Sequence, residues 1–265
     1  QIISITMRGI CGWFGGSERI TDPSRVLSDM VRPFGRASAS VPAERRGAAH
    51  ALGYRTRVHR DGDLLIALAG TPRLESDVKP ADLLVAIADV YRRRPDSLPA
   101  ALHGPFALAL LDLGSGSGLL AVDRIGVEPL TYAATADGLV FASRADSVAA
   151  HPDASADLDR QAVFDYLYFH CVPSPRVIFQ GQRKLLPGQC VRFGAGRMES
   201  SFYWELEYRE QPAPFEPLKK EFLDTLEQSV HRAAEDSEPE ATGCFLSGGT
   251  DSSTVSGLLT RTQGR

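Results

Sequence analysis

Two apolar runs separated by a turn of glycine and serine constrain the fold of this chain most strongly. Residues 106–112 read Phe-Ala-Leu-Ala-Leu-Leu-Asp, residues 114–118 alternate glycine with serine, and residues 119–123 read Leu-Leu-Ala-Val-Asp. Short apolar runs joined by a glycine-rich turn are typical of a buried β-hairpin. Residues 64–69 and 139–143 are further runs of this kind, each following a turn that contains Asp-Gly. We therefore expect much of the first half of the chain to form β-sheet.

Helical patterns lie between these predicted strands. In residues 81–93, four aliphatic side chains recur along one helical face, and a second helix is predicted to start near Asp159. Several strands combined with a few helices predict an α/β class in which sheets and helices form a layered sandwich.

Composition excludes several classes of protein. A length of 265 residues allows one large domain or two smaller ones, and a formal net charge of −4 gives no sign of a surface for nucleic acid or membrane. No apolar run approaches the roughly 20 residues of a transmembrane helix. The four cysteines, Cys11, Cys171, Cys190 and Cys244, are too widely spaced for a zinc motif or a disulfide framework. We therefore expect a cytoplasmic protein.

A second part of the chain begins after a proline-rich stretch. Residues 211–217 contain three prolines, which predicts a linker over residues 206–217. A long helix is predicted over residues 218–235, followed by a strand over residues 243–246 and one further helix. A single strand with two helices cannot bury a parallel sheet. We therefore expect the second part to be the truncated beginning of a longer domain or a vestigial one.

The turn after the predicted strand carries residues suited to phosphate. Residues 245–253 read Phe-Leu-Ser-Gly-Gly-Thr-Asp-Ser-Ser. The glycines allow close approach of the backbone, and N–H groups at a helix start bind anions. Ser247, Ser252 and Ser253 add hydroxyl donors, and Asp251 can hold a metal ion against the phosphates. The spacing is not that of a Walker loop, which has a lysine. The alternative is an ordinary Ser/Gly turn that caps a helix.

Several separated segments, in the same order along the chain, resemble signatures of the asparagine synthetase family. Residues 11–15 are similar to the Cys-Gly-Ile-Phe-Gly start of that family, and residues 245–253 resemble the PP-loop of enzymes that split ATP between the α and β phosphates. The other matching segments are residues 102–109, 123–130, 141–143, 172–179, 183–188 and 203–204.

This resemblance implies a fold, a reaction and a set of site residues. It implies an Ntn-hydrolase-like αββα sandwich over residues 11–205, a linker, and the start of a PP-loop synthetase domain over residues 218–265. Such enzymes adenylate a carboxylate, such as that of aspartate, with ATP and Mg²⁺, and an amine then attacks it. The implied partners are small molecules, and a homodimer is a further expectation. The residues implied to bind nucleotide are Leu246 through its backbone, Ser247, Gly248, Gly249, Asp251, Ser252 and Ser253, with Asp251 also holding Mg²⁺.

The same resemblance implies a glutaminase whose nucleophile is an N-terminal cysteine with a free α-amine as base. Cys11 is the matching cysteine, which requires removal of residues 1–10; the alternative is that Cys11 is a small buried residue. Three family segments that hold glutamine are poorly matched. Residues 45–48 replace Arg-Gly-Pro-Asp, residues 69–71 replace Asn-Gly-Glu, and Pro80 replaces the aspartate that holds the substrate amine. We therefore expect no useful glutamine hydrolysis.

Two classes of function follow from this comparison. The first is an ATP-dependent amide-forming ligase, including relatives that use another amine, as β-lactam synthetases and lasso-peptide cyclases do. The second is a non-catalytic scaffold or remnant that uses the sandwich as a binding module. Sequence that follows Arg265 discriminates between them, because the residues that select the carboxylate belong to that region in the family.

Overall fold

The computed structural model describes residues 8–35, 39–40, 43–74, 83–208, 210, 212–235, 240 and 242–263. Contacts divide the chain into two units, Gln1–Leu206 and Glu207–Arg265. Among the described residues, no helix has the length and apolar character needed to cross a bilayer.

The first unit contains fourteen strands and five α-helices among its described residues. The strands are β1 (Gly9–Phe14), β2 (Ala39–Ser40), β3 (Gly47–Leu52), β4 (Thr56–Asp61), β5 (Leu64–Gly70), β6 (Arg73–Leu74), β7 (Leu102–His103), β8 (Phe106–Asp112), β9 (Ser117–Val122), β10 (Thr131–Ala134), β11 (Leu139–Ala142), β12 (Gln182–Lys184), β13 (Gln189–Gly194) and β14 (Arg197–Phe202). The helices are α1 (Pro23–Val31), α2 (Leu83–Arg93), α3 (Leu98–Ala101), α4 (Ala145–Ala149) and α5 (Arg160–Phe169).

Two six-stranded antiparallel sheets form the centre of this unit. The first sheet has the order β12-β10-β11-β1-β3-β2, and the second has the order β14-β13-β9-β8-β5-β4. The alternation of side chains along the strands divides them between two layers of core, because successive residues of a strand point to opposite faces. In β5, Leu65 and Ala67 belong to the core shared by the two sheets, whereas Leu64 and Ile66 belong to the core under α2.

Helices cover the outer face of each sheet. Leu27 and Met30 of α1 and Val148 of α4 pack on the first sheet. Leu84 and Ile87 of α2 pack on the second sheet. The order of layers is therefore helix, sheet, sheet, helix, which confirms the predicted αββα sandwich.

Several local predictions are confirmed in the first unit. β8 and β9 form the predicted antiparallel hairpin, with Asp112 opposite Ser117. Asp112 accepts hydrogen bonds from the backbone N–H groups of Gly114 and Ser115, which fixes the turn. The helix predicted near Asp159 is α5, and Asp159 caps it by accepting from the N–H groups of residues 161 and 162.

The second unit consists of two helices among its described residues, α6 (Phe215–Ala234) and α7 (Thr250–Gln263). An ion pair between Glu227 and Arg261, 3.4 Å long, joins them. The prediction of a strand over residues 243–246 is wrong, since that segment has no regular structure. No strand among the described residues pairs with it, and Phe245 is 99 % exposed. A segment without a neighbouring strand cannot form a hydrogen-bonded ladder, whatever its propensity.

Candidate functional site

The first candidate site lies around β1, where the resemblance places a nucleophile. Cys11 is the third residue of β1, and it is paired with Ala142 of β11 and His50 of β3. Its side chain is completely buried in the core under α1, in the same cluster as Met30. Burial raises the pKa of the Cys11 thiol to about 12. At neutral pH the thiol therefore keeps its proton, and the geometry gives no support to its predicted role as nucleophile.

The residue at the open end of β1 is Arg8. Its Nη2 atom donates a hydrogen bond to Oε1 of Glu128 over 2.5 Å. Glu128 is only 6 % exposed, and burial raises the pKa of its carboxyl group while the charge of Arg8 lowers it. Sequence reasoning missed this pair because the two residues are 120 positions apart in the chain.

A signal for Arg8 was nevertheless present in the sequence. The motif Cys-Gly-Ile-Phe-Gly can be aligned with residues 8–12, which read Arg-Gly-Ile-Cys-Gly, as well as with residues 11–15. In the first alignment Gly9, Ile10 and Gly12 match the motif, and Arg8 takes the place of the cysteine. The side chain of Ile10 lies in the core between the two sheets, whereas that of Cys11 lies under α1.

The carboxylate of Asp123 fixes the turn that carries Glu128. Asp123 accepts hydrogen bonds from the backbone N–H groups of Phe106, Ile125, Val127 and Glu128, at 3.1 to 3.2 Å. Four donors on one carboxylate tie this turn to the start of β8. The backbone of Glu128 is therefore held in one position facing the start of β1.

Residues 69–71 stand where the resemblance places the Asn-Gly-Glu turn that supplies an oxyanion donor, and their N–H groups already have protein partners. The N–H of Gly70 donates to the carbonyl oxygen of Arg55 over 2.8 Å, and the N–H of Thr71 donates to that of Pro105 over 3.0 Å. An oxyanion hole needs donors that point at the reacting oxygen of the substrate. In this structure both N–H groups at the end of β5 are used internally.

Of the other residues predicted to contact glutamine, two arginines bind other parts of the chain, and Pro80 is not among the described residues. Arg45 donates through Nε to the carbonyl oxygen of Ser17, and the carbonyl oxygen of Arg46 accepts from the N–H of Gly15. These arginines therefore support the chain that follows β1. Pro80 lies outside the residues that the structure describes.

The second candidate site is the turn before α7, which lies in the second unit. The hydroxyl groups of Ser247 and Ser252 are 2.9 Å apart, and Ser252 also donates to the carbonyl oxygen of Gly249 over 3.2 Å. Gly248 adopts a φ of +81°, and a Cβ atom there would meet nothing within 4 Å. The positive φ explains the glycine, since other residues are strained in this region. Hydrogen bonds among its own serines therefore hold the turn together, and the space beside Gly248 is open.

The residues at the start of α7 are open to solvent. Asp251 lies in the first turn of this fourteen-residue helix and is exposed, as are Thr250 and Ser253. Leu246, whose backbone was predicted to lie near adenine, is also exposed. Across the described part of the chain, no three His, Cys, Asp or Glu side chains come together as a ready-made metal site. Asp251 could therefore hold Mg²⁺ only together with phosphate oxygens or other ligands.

Each of the two units contains a segment that is similar to a known family. A model described as a glutamine amidotransferase domain matches residues 81–204, and one described as asparagine synthase matches residues 221–265. The first match lies within the αββα sandwich, and the second contains the Ser247–Ser252 turn. These two matches, together with the named relatives below, support the assignment of the chain to the asparagine synthetase family.

The relatives named in these comparisons are longer than this chain. Asparagine synthetase [glutamine-hydrolyzing] 3 of Bacillus subtilis is 28 % identical over 158 residues, which cover 59 % of this chain and 25 % of the relative. Putative asparagine synthetase [glutamine-hydrolyzing] 2 of Methanocaldococcus jannaschii is 29 % identical over 161 residues, covering 59 % and 31 % respectively. The chain therefore matches about a quarter to a third of the length of these relatives.

Among solved structures, a similar one is titled as the allosteric regulatory enzyme of purine biosynthesis. The TM-score is 0.44 with 15 % sequence identity, and the superposition covers 74 % of this chain and 49 % of that one.

Proposed function

We propose that this chain contributes the nucleotide-binding turn of an ATP-dependent amide-forming ligase of the asparagine synthetase type. The observation that carries the proposal is the turn before α7, in which Ser247 and Ser252 close a glycine-containing loop at the start of a long helix. N–H groups at a helix start, hydroxyl groups and an exposed carboxylate together suit a Mg²⁺-bound polyphosphate. The family uses ATP, which supports the same assignment.

In this proposal each residue of the turn has a physical role. The backbone N–H groups of Gly248 and Gly249 and the hydroxyls of Ser247, Ser252 and Ser253 bind the pyrophosphate part of ATP, and the backbone of Leu246 lies near adenine. Asp251 helps to hold Mg²⁺. ATP supplies the adenylate that activates a carboxylate, such as that of aspartate, toward attack by an amine.

We further propose that the first unit does not release the amine from glutamine. The Cys11 thiol is buried and protonated, and both candidate oxyanion donors are already bonded within the protein. The names of the relatives describe glutamine hydrolysis, so this chain would differ from them in the source of its amine. Ammonia or another amine is then the nucleophile, as in the relatives of the family that do not use glutamine.

The test is the ATP-dependent release of pyrophosphate and AMP by the natural protein that contains this chain, with aspartate and other carboxylates. Asp251→Ala is expected to lower AMP formation about 100-fold or more, since a removed transition-state contact costs roughly that much. The matched control is Asp224→Ala, which removes an exposed carboxylate from α6. Equal AMP formation by wild type and Asp251→Ala would contradict the assignment of the turn.

A further inference from the structure

The ion pair between Arg8 and Glu128 occupies the end of the sandwich at which β1 begins. β1 starts with Gly9 opposite Leu52, so Arg8 is the residue immediately outside the strand. The N–H of Ile10 donates to Oγ of Ser143, and the N–H of Ser143 donates to the carbonyl oxygen of Ile10. These bonds fix the start of β1 against the end of β11. The direction in which Arg8 leaves the sheet is therefore determined by the sheet itself.

Space at this end leaves little freedom for the backbone. A Cβ atom at Gly9 would lie 2.6 Å from a ring carbon of Phe34 and 2.7 Å from Cβ of Ser143. Contacts below 3.0 Å force neighbouring atoms to move, so a larger residue at this position would displace the side chains of Phe34 and Ser143. The backbone at Gly9, directly after Arg8, is therefore tightly enclosed by Phe34 and Ser143.

The buried carboxylate of Glu128 needs a cation. Its side chain is 8 % exposed, and among the described residues Arg8 is the one cation that forms an ion pair with it. The more distant charge of Arg55 also lowers the pKa of Glu128, while Asp123 raises it. Arg55 stacks on the ring of Tyr54 at 5.0 Å instead of contacting the carboxylate. An uncompensated buried carboxylate is strongly unfavourable, so the guanidinium of Arg8 has a defined role.

We infer that the Arg8 side chain occupies the site at which a related glutaminase carries its nucleophile. The guanidinium group binds Glu128, covers the start of β1 while 40 % of the Arg8 side chain stays exposed, and closes this end of the sandwich to glutamine. Removal of the Arg8 side chain opens a cation site on Glu128 that accepts a free guanidinium ion. This inference depends on the proposal that the first unit is not a glutaminase, but it does not depend on the nucleotide turn.

The first test is thermal unfolding of the 265-residue chain. Arg8→Ala is expected to lower the Tm by about 5 °C or more, because it leaves a buried charge unpaired. The matched control is Arg32→Ala, which breaks an equally short but exposed ion pair with Asp29 on the surface; its Tm should change by about 1 °C or less. An equal effect of the two variants would overturn the inference.

The second test is chemical rescue with low millimolar guanidinium chloride, compared with the same concentration of sodium chloride. Guanidinium is expected to raise the Tm of Arg8→Ala, but not that of wild type or of Arg8→Ala combined with Glu128→Gln. Rescue that is equal in the presence and absence of the Glu128 carboxylate, or no rescue of Arg8→Ala at all, would contradict a cation site on Glu128.

A third measurement covers the case in which Arg8→Ala does not fold. The double variant Arg8→Met with Glu128→Gln keeps the volumes and removes both charges, so it is expected to fold with a Tm near that of wild type. Saturation-transfer NMR with L-glutamine should detect no binding to the wild-type chain. If wild type and the double variant both bind L-glutamine, Arg8 does not close the site.

Discussion

The start of β1 and the turn before α7 carry the two functional expectations for this chain, and they differ in what their polar groups bind. At the start of β1, the Arg8 guanidinium is paired with Glu128, and the N–H groups of Gly70 and Thr71 donate to backbone carbonyls. At the turn, Ser247 and Ser252 bond each other while Asp251 stays exposed. Donors in both places are bonded within the protein, but Gly70 and Thr71 donate to backbone carbonyls of the sandwich, whereas the turn is closed by hydroxyl groups of an exposed loop, which can rotate toward a ligand. The comparison favours chemistry at the turn.

The largest effect expected from this comparison concerns thiol reactivity. Cys11 and Cys190 are buried, whereas Cys171 and Cys244 are exposed. A buried thiol reacts only when the protein opens, which for a stability of about 5 kcal/mol or more slows the reaction at least about 1000-fold. Labelling with an aromatic disulfide at neutral pH should therefore show two fast and two slow thiols.

Peptide mapping of the labelled chain identifies the fast and slow cysteines, and labelling in denaturant provides the control in which all four react. Fast labelling at Cys11 would mean that the start of β1 is an accessible and reactive site, and the contrast between the two regions would no longer hold.

The next largest effect concerns the hydroxyl that closes the turn. Ser252 bonds both Ser247 and the carbonyl oxygen of Gly249. Ser252→Ala is expected to reduce pyrophosphate release by the natural protein about 10-fold to 100-fold, through loss of one donor and of the fixed turn. Ser229→Ala is the matched control, because that serine bonds only a carbonyl of its own helix.

A decrease of equal size in Ser229→Ala would indicate that the loss reflects the stability of the second unit and not the turn. No decrease in Ser252→Ala would remove the hydroxyl from the proposed phosphate site while leaving Asp251 to be judged separately.

The smallest effect concerns Cys11 itself. Cys11→Ala is expected to lower the free energy of unfolding by about 1 kcal/mol, as the loss of one small buried group does. Ammonia release from glutamine, which we expect to be negligible, should not change. Denaturant unfolding and a coupled ammonia assay measure the two quantities.

Robust ammonia release that disappears in Cys11→Ala would restore Cys11 as the nucleophile and would contradict the proposal for the first unit. Mass spectrometry of the active protein would then show whether the residues before Cys11 had been removed.

Local patterns predicted much of the sandwich. The apolar runs became β5, β8, β9 and β11, and the carboxylate near residue 159 caps α5 as expected. β13 and β14 had no such signal, because their sequences mix polar and apolar residues; they pair with each other, and β13 joins the second sheet through the distant β9. Strand propensity at residues 243–246 was not sufficient in the absence of a partner.

For the candidate sites, the sequence by itself determined the turn before α7, since its glycine, serines and helix start lie within a few residues of one another and form bonds locally. Only the tertiary structure decided the other site. Which face of β1 buries Cys11, and which distant carboxylate meets Arg8, depend on the packing of segments about 120 residues apart. Alternation along a strand places side chains on two faces, but the sequence alone does not state which face lies under a helix and which lies between the sheets.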